Sequence, residues 1–411
     1  MRRRGSSSRN AALLAALLFL WQTAGPALVF GYVLTYTVGD LRLSPGQSGG
    51  TACPHLNRFS TTTAGVIDRR WSTSLGTAPV TILTVDQTPT GRLNEIEAAL
   101  QESYSAWTGV AGTSLAGPAL APLNRISTPQ VCQANDGLNS ICLNQSDLLF
   151  SGGVLAFARV VTSDIIGEQP FQNNPPSSFV GEILDADILL KPGDSSITFA
   201  TPAALGSNPS AFDLESIVTH ELGHVWGFSH SAVWGAMMFP FAPPRGQFTG
   251  ERPTAQVPDA PLSDDDRTGL RVLYPDPADT LYIGSIEGRI LPANPLSLAG
   301  LAEVSGMFGA HAVVVDDATG AVVAAALAGW SCSGAGPPQF DGSYKVEGLP
   351  VGPDRRYRVF VEPLDGPVVA GNIATTTRSL CRNEETDPGW PLLLACTVPE
   401  VNSNFATRIR P

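Results

Sequence analysis

The sequence is poor in charged side chains, and in basic ones especially. Charged residues make up 15% of its 411 residues, and 25 Lys and Arg face 37 Asp and Glu, for a formal net charge of −12. An acidic chain lacks the positive surface that binds nucleic acid or anionic membranes, so we expect neither as a partner. Gly (41) and Pro (34) are plentiful instead, which favours turns, loops and short strands.

Apolar runs long enough to cross a membrane are missing beyond the N-terminus. There, three arginines at 2–4 precede an apolar run at 11–21, and small residues follow at 24–27. This three-part pattern predicts a signal peptide over residues 1–28, and hence a secreted or cell-surface protein without stable membrane insertion after cleavage. A membrane anchor is the alternative, because residues 27–33 could extend the apolar run.

Cysteine is scarce, but its count is even. In an exported chain an even number of cysteines suggests disulfide bonds. Cys132 and Cys142 bracket a short polar loop, so a local bridge between them is plausible. Cys53 would pair with a C-terminal cysteine or stay free. The six residues are Cys53, Cys132, Cys142, Cys332, Cys381 and Cys396.

Histidine is scarce as well, yet three of the five histidines stand in one eleven-residue string, H-E-x-x-H-x-x-G-x-x-H, from His220 to His230. On a helix, His220 and His224 share one face and can reach a single ion. Glu221 lies beside that ion, where it can accept a proton from a water molecule. An isolated histidine pair would be read as ordinary helix residues, but five fixed positions in register favour a zinc site.

The second half of the string completes the ligand set. Gly227 permits the positive φ at which a helix ends and the chain bends, and the bend returns His230 as the third ligand. Three protein ligands leave the fourth position to water, which is the arrangement of a catalytic zinc rather than a structural one.

Around the string, the pattern of apolar residues alternates between strand and helix periodicity. Asp213 and Ser263 are good N-caps for the second and third helices. Strands are predicted at 79–85, 140–143, 154–161 and 183–190, and helices at 93–110, 213–226 and 262–274. Residues 241–262 are rich in proline, and a long surface loop is expected there.

The string resembles the metzincin clan of zinc endopeptidases, and two further features carry the resemblance. Met238, eight residues after His230, resembles the buried methionine of the clan's Met-turn, with Met237 as the neighbouring alternative. Ser231, directly after the third histidine, is common in matrixins, and the closing helix at 262–274 resembles theirs. An astacin-like assignment is the rival, although astacins carry Glu where Ser231 stands.

The resemblance implies an α+β metzincin catalytic domain over residues 67–275, with a twisted mixed sheet, a long active-site helix and one catalytic zinc. Residues 29–66 are then an N-terminal lead-in or a short pro-segment, without the matrixin cysteine-switch motif. The thiolate of Cys53 could in principle occupy the fourth zinc position, although a disulfide is favoured.

The segment before the active-site helix departs from the matrixin pattern. The segment made of Val154, Leu155, Ala156 and Phe157 resembles the substrate edge strand of matrixins. Phe157 stands where that strand usually has a histidine. We therefore expect the vertebrate-type structural zinc to be absent. The oxygen-bearing side chains of Asp136, Asn139, Asp185 and Asp187 could instead bind calcium; the alternative is that they are turn and surface residues.

The last third of the chain has a different texture. Short alternating strands, among them 281–284, 312–316, 321–324, 344–346 and 357–361, predict a small all-β sandwich over residues 276–411. The run Gly342-Ser343-Tyr344 to Gly352 resembles carboxypeptidase-regulatory-like domains, which are non-catalytic. His311 is expected at the surface or half-buried.

These features together predict a secreted zinc endopeptidase that acts on proteins or peptides. The alternative is a secreted or surface binding and adhesion protein whose zinc site is vestigial. The presence of Glu221 counts against that alternative, because a metal site without catalytic activity does not need a general base.

Overall fold

The computed structural model describes the chain in segments. These are residues 36–39, 65–68, 70–72, 83–85, 93–115, 136–143, 150, 153–163, 167, 169, 176–179, 181–191, 197–231, 233, 235–248, 261–291, 310–327 and 342–362. The predicted signal peptide, five of the six cysteines and the residues after 362 lie outside them. Cys142 is within them and is disulfide-bonded. No helix among these segments is long and apolar enough to span a membrane.

A four-stranded mixed sheet underlies the candidate site. Its strands are β3 (Leu83–Val85), β4 (Ser140–Cys142), β6 (Ile183–Leu190) and β5 (Ala156–Thr162), in that order across the sheet. Neighbours β3, β4 and β6 run parallel, whereas β5 pairs antiparallel with β6, placing Phe157 opposite Leu189. A separate antiparallel pair, β1 (Tyr36–Gly39) with β2 (Gly65–Asp68), precedes the sheet.

Strand β6 is buried along its whole length, because each face meets a different partner. Ala186, Ile188 and Leu190 join the main hydrophobic core, while Leu189 packs on the opposite face with Cys142. Strand β5 lies at the sheet edge and begins at Ala156, two residues later than predicted. Val154 and Leu155 precede it, and only the Leu155 carbonyl continues the pairing, by accepting from Lys191 N–H at 2.9 Å.

Two helices pack together on the sheet. Helix α1 (Leu93–Thr108) turns Ile96, Leu100 and Trp107 inward at helical spacing. Between α1 and the site helix stand β7 (Phe199–Ala200), the one-turn α2 (Pro202–Leu205) and β8 (Phe212–Asp213). The site helix, α3 (Leu214–Trp226), contacts α1 directly, and the Trp107 indole donates to the Thr219 carbonyl at 2.8 Å.

The predicted helix caps are confirmed. The Asp213 carboxylate accepts from Ser216 N–H at 2.9 Å and begins α3, while Gly227 ends it in the left-handed region with φ 105°. Helix α4 (Asp264–Leu273) begins at Ser263 with a reciprocal capping box between Ser263 and Asp266. Helices α3 and α4 therefore start at the N-cap residues that the sequence predicts.

The C-terminal strands form two antiparallel sheets among the described residues. One has the order β11 (Val322–Leu327), β10 (His311–Asp316), β13 (Tyr357–Glu362); the other pairs β12 (Ser343–Leu349) with β9 (Gly284–Arg289). The first predicted strand was wrong in position: 281–284 is irregular and the strand starts at its last residue. The sandwich as a whole stays a prediction.

The C-terminal sheets share a core with α4. Val314, Val323, Val346 and Leu349 belong to the same hydrophobic cluster as the α3 and α4 side chains. Thr268 Oγ1 also donates to the Val323 carbonyl at 3.1 Å. His311 lies at 1% exposure within the central strand, so the expectation of a surface or half-buried histidine was wrong.

Candidate metal centre

The three histidines of the string face one another beside the C-terminal half of α3. The ring centroid of His220 lies 4.9 Å from that of His224 and 5.3 Å from that of His230, and His224 and His230 are 4.9 Å apart. One ligand atom from each ring lies within 4.8 Å of the other two. Among the described residues, this is the only group of three or more His, Cys, Asp or Glu side chains that could hold a metal ion.

Backbone carbonyls orient two of the rings. His220 Nδ1 lies 2.7 Å from the Met237 oxygen, and His224 Nδ1 lies 2.9 Å from the Phe228 oxygen. A carbonyl can only accept, so each Nδ1 must carry the proton and each Nε2 is left with its lone pair. This is how metal-binding histidines are normally held, with one ring nitrogen for the ion and the other for an orienting acceptor.

Burial also keeps these rings in the neutral form that binds metals. It lowers the pKa of His220 to about 3, and repulsion from His230 adds to the shift. Burial likewise lowers the pKa of His224 well below its ordinary value, together with repulsion from His220 and His230. Neutral imidazole is the ligand that zinc prefers from histidine, so the donor set fits zinc.

Glu221 is a buried carboxylate with one oxygen available. It is 5% exposed, and the backbone amide of Ala158 on β5 donates to the carboxylate. Its Oε2 atom has no hydrogen-bond partner within the described segments. Burial raises the pKa of Glu221 to about 8, against the lowering effect of the Ala158 amide. Asp187 Oδ1 is also unpartnered among the described residues, so what sets Glu221 apart is its place on α3 directly after His220, one of the three clustered histidines.

Both methionines of the predicted Met-turn are buried and contribute different atoms. Met237 offers its carbonyl to His220. The Met238 sulfur packs against Gly223, at a position that a methyl group on Gly223 would occupy. The Met238 carbonyl accepts from Ser231 N–H at 2.7 Å, directly after the third histidine. The turn therefore holds the segment after His230 as well as the helix.

These residues fall within a segment that matches a known family. The matrixin family model matches residues 149–275. Metalloendoproteinase 1 from Glycine max is 45% identical over 65 residues, 16% of this chain and 18% of that protein. Metalloendoproteinase 1-MMP from Arabidopsis thaliana is 35% identical over 100 residues, 22% of this chain and 24% of that protein.

This segment is a matrixin-like metzincin domain. The family, the three-histidine cluster and the mixed sheet with its helices agree on that assignment. The chain covers less than a quarter of the length of either relative.

Two acids of α4 support the matrixin-like site from behind, and sequence reasoning missed this role. Asp266 accepts hydrogen bonds from the backbone amides of Met237 at 2.8 Å and Met238 at 3.2 Å. Asp265 accepts from Ser231 Oγ at 2.9 Å. From the sequence alone these acids are only first-turn residues of the helix that Ser263 caps. The Ser-Asp-Asp-Asp run at 263–266 predicts a helix N-cap, but it does not show which other part of the protein these side chains contact.

The residue where matrixins usually have a structural zinc ligand is apolar here. The Phe157 ring packs on Phe150, with 5.3 Å between ring centroids, and both rest on Leu189 and Cys142. This aromatic contact joins the segment before β5 to the outer face of the sheet. The absence of a second zinc stays a prediction.

The four residues predicted to bind calcium make protein contacts instead of forming one cluster of ligands. The Asn139 side-chain oxygen accepts from Ala186 N–H at 2.9 Å, and Asp136 accepts from Leu138 N–H at 2.9 Å. Asp187 forms an ion pair with Arg159 at 2.9 Å.

Asp185 and Asp187 are 1% and 0% exposed, so describing them as surface residues was wrong. Burial raises the pKa of Asp187 to about 7, because burial and repulsion from Asp185 outweigh the effect of Arg159. Calcium binding by these side chains stays a prediction.

Proposed function

We propose that the chain is a secreted zinc endopeptidase that hydrolyses peptide bonds within proteins. The proposal is carried by two observations on one stretch of chain: three histidine ligand atoms meet, and Glu221, next to His220 on α3, is a buried carboxylate. The ligand atoms lie within 4.8 Å of one another, and Glu221 Oε2 has no hydrogen-bond partner among the described residues. A zinc held for stability alone is normally given four protein ligands, and the described residues supply three.

Each residue has a separate task in this proposal. His220, His224 and His230 would hold zinc, which when bound polarises a carbonyl and increases the acidity of water. Glu221 would act as general base: its Oε2 accepts the proton of the attacking water and passes it to the leaving nitrogen. The Ala158 amide donates to the same carboxylate and so holds it against β5.

The substrate would bind as an added strand. Strand β5 is the edge of the sheet, with β6 on one side only, and an extended peptide can pair with such an edge through backbone hydrogen bonds. The segment from Val154 to Phe157 is the proposed contact, with Ala156 and Phe157 inside the strand. Its amides lie in the same strand as Ala158, so the paired peptide would pass beside Glu221. Residues after Met238, with loop 241–262, would form the side-chain pocket.

The remaining assignments are also proposals. Residues 1–28 would direct export, residues 29–66 would form a lead-in or pro-segment, and residues 276–411 would be a non-catalytic appendage. One zinc would be bound for each catalytic domain of residues 67–275. Protein or peptide segments able to adopt an extended form would be the substrates.

The deciding experiment measures cleavage of a denatured, fluorescently labelled protein by the full chain, with and without a zinc chelator. Glu221→Gln removes the base. Glu215→Gln is the matched control, because Glu215 is a second buried glutamate on α3, in its first turn. We expect cleavage by wild type and by the control, a fall of about 10²–10⁴-fold or more in Glu221→Gln, and no cleavage after chelation. A chain that binds one zinc and cleaves nothing would favour the binding-protein alternative.

A further inference from the structure

The C-terminal end of α3 must satisfy four backbone carbonyls, those of residues 223–226, which have no partner within the helix. The turn that follows accounts for two of them. Gly227 N–H donates to the His224 carbonyl at 3.0 Å, and Phe228 N–H donates to the Gly223 carbonyl at 3.0 Å. The positive φ of Gly227 makes this turn possible.

The other two carbonyls are satisfied by side chains from distant parts of the sequence. The Trp71 indole Nε1 donates to the Val225 carbonyl at 2.9 Å, across 154 positions. The Tyr274 hydroxyl donates to the Trp226 carbonyl at 2.7 Å. The two capping residues are joined as well, because Trp71 N–H donates to the Tyr274 hydroxyl at 3.1 Å. Both side chains are buried.

Each capping residue is fixed by a different element. Arg70, next to Trp71, donates its N–H to the Gly181 carbonyl at 3.1 Å and accepts from Ile183 N–H at 2.8 Å, at the start of β6. Tyr274 ends α4, and its carbonyl accepts from Ser114 N–H at 2.8 Å. The end of α3 is therefore held between the sheet and α4, and not only by its own turn.

The position of this helix end matters for the metal ligands. The Phe228 carbonyl, in the same turn, accepts from His224 Nδ1 and so sets the orientation of that ring. Two residues later the chain reaches His230. A shift of the turn would therefore change the orientation of His224 and the distance from His230 to the two helical ligands together.

We propose that Trp71 and Tyr274 are positioning residues of the metal centre, which cap α3 from outside and fix His230 relative to His220 and His224. This rests on the metal-binding part of the proposed function, and not on peptide-bond cleavage. A consequence is that the competent domain must include Arg70 and Trp71, because removal of that segment would leave the Val225 carbonyl without its donor.

The test uses the full chain and Co²⁺ as a spectroscopic probe of the three-histidine site. Tyr274→Phe keeps the ring but removes the hydroxyl that joins Trp226 and Trp71. Tyr357→Phe is the matched control, because its hydroxyl also donates to a backbone carbonyl, that of Pro350 at 2.6 Å, in the C-terminal region. Affinity is measured by competition with a chelator, and ligand geometry by the visible absorption of bound Co²⁺.

We expect Tyr274→Phe to bind Co²⁺ about tenfold more weakly, at the low end of the range for groups that orient metal ligands, and to shift its absorption bands. Tyr357→Phe should match wild type in both. A Tyr274→Phe protein that melts earlier but keeps wild-type affinity and spectrum would overturn the positioning role. If that variant does not fold, Trp71→Phe, which loses the indole donor to Val225 and part of the buried ring, is judged by the same two readings. A wild-type chain that binds no Co²⁺ would overturn the metal centre and the positioning role together.

Discussion

Helices α3 and α4 each carry a buried carboxylate in the region of the candidate metal centre, and the two carboxylates differ in how many hydrogen bonds they accept. Asp266 on α4 is surrounded by donors: the amides of Met237, Met238 and Ser263, and the Ser263 hydroxyl. Glu221 on α3 receives the Ala158 amide, and its Oε2 has no hydrogen-bond partner among the described residues. Burial raises the pKa of both groups.

The number of hydrogen-bond donors around each carboxylate distinguishes the structural acid, Asp266, from the proposed general base, Glu221. An acid whose lone pairs are all occupied fixes the groups around it, and here Asp266 fixes the turn that carries the His220 acceptor. An acid with an open oxygen can still accept a proton from a reactant. Burial and pKa alone do not distinguish the two; the number of donors aimed at each carboxylate does.

The sharpest test of this comparison is Glu221→Gln. The amide keeps the shape of the side chain but cannot act as a base, so we expect cleavage to fall by about 10²–10⁴-fold or more. Stability should stay the same or rise, because no donor depends on Oε2. Steady-state cleavage rates and urea denaturation measure the two quantities, and a marked loss of stability would contradict an open oxygen.

Asp266→Asn should give the opposite result. An amide cannot accept from all four donors, so buried N–H groups lose their acceptor and the free energy of unfolding should fall by about 3 kcal/mol. Cleavage by the fraction that remains folded should fall far less than in Glu221→Gln. Urea denaturation with and without zinc provides the measurement. Equal stability to wild type would mean that Asp266 does not hold the Met237 turn.

A smaller effect should follow from filling the space between α3 and the buried methionine. A methyl group at Gly223 would collide with the Met238 sulfur and lie 2.8 Å from the Trp107 ring. We expect Gly223→Ala to lower the free energy of unfolding by about 1–3 kcal/mol, as overpacking does. Gly153→Ala is the control, because nothing lies within 4 Å of a methyl group there. If thermal melting shows the two variants to be equally stable, the close packing of α3 on Met238 is refuted.

The smallest effect concerns a buried histidine away from the metal centre. Burial lowers the pKa of His311 from its ordinary 6.5, although Glu362 at 3.3 Å acts in the opposite direction. Below pH 6.5 His311 therefore binds a proton in the unfolded chain but stays neutral in the folded chain. The free energy of unfolding falls as the pH drops.

In His311→Gln this contribution is gone, so stability should change less between pH 7 and pH 5 than in wild type. Zinc-loaded protein is used for both, so that the site histidines do not titrate. Urea denaturation at several pH values measures the slope. Identical slopes would show that His311 is not held neutral.

Much of the site could be predicted because it depends on residues that are close together in the sequence. The spacing of His220, Glu221 and His224 needs only helical geometry, and Gly227 needs only its own φ. The starts of α3 and α4 followed from Asp213 and Ser263, since a cap depends on residues three positions away. The same local reasoning misplaced the start of β5, which is set by where its partner β6 ends.

The sequence by itself determined the proposed metal ligands, the proposed general base and the helix that carries all of them except His230, because short-range periodicity and caps decide these. Only the tertiary structure decided that Glu221 keeps an oxygen without a donor, that Asp266 faces the Met237 turn, and that Trp71 and Tyr274 complete the end of α3. These contacts join residues up to 203 positions apart. The contacts to α3 form because a buried backbone carbonyl needs a hydrogen-bond donor, and the nearest donor in space is set by packing rather than by position in the chain.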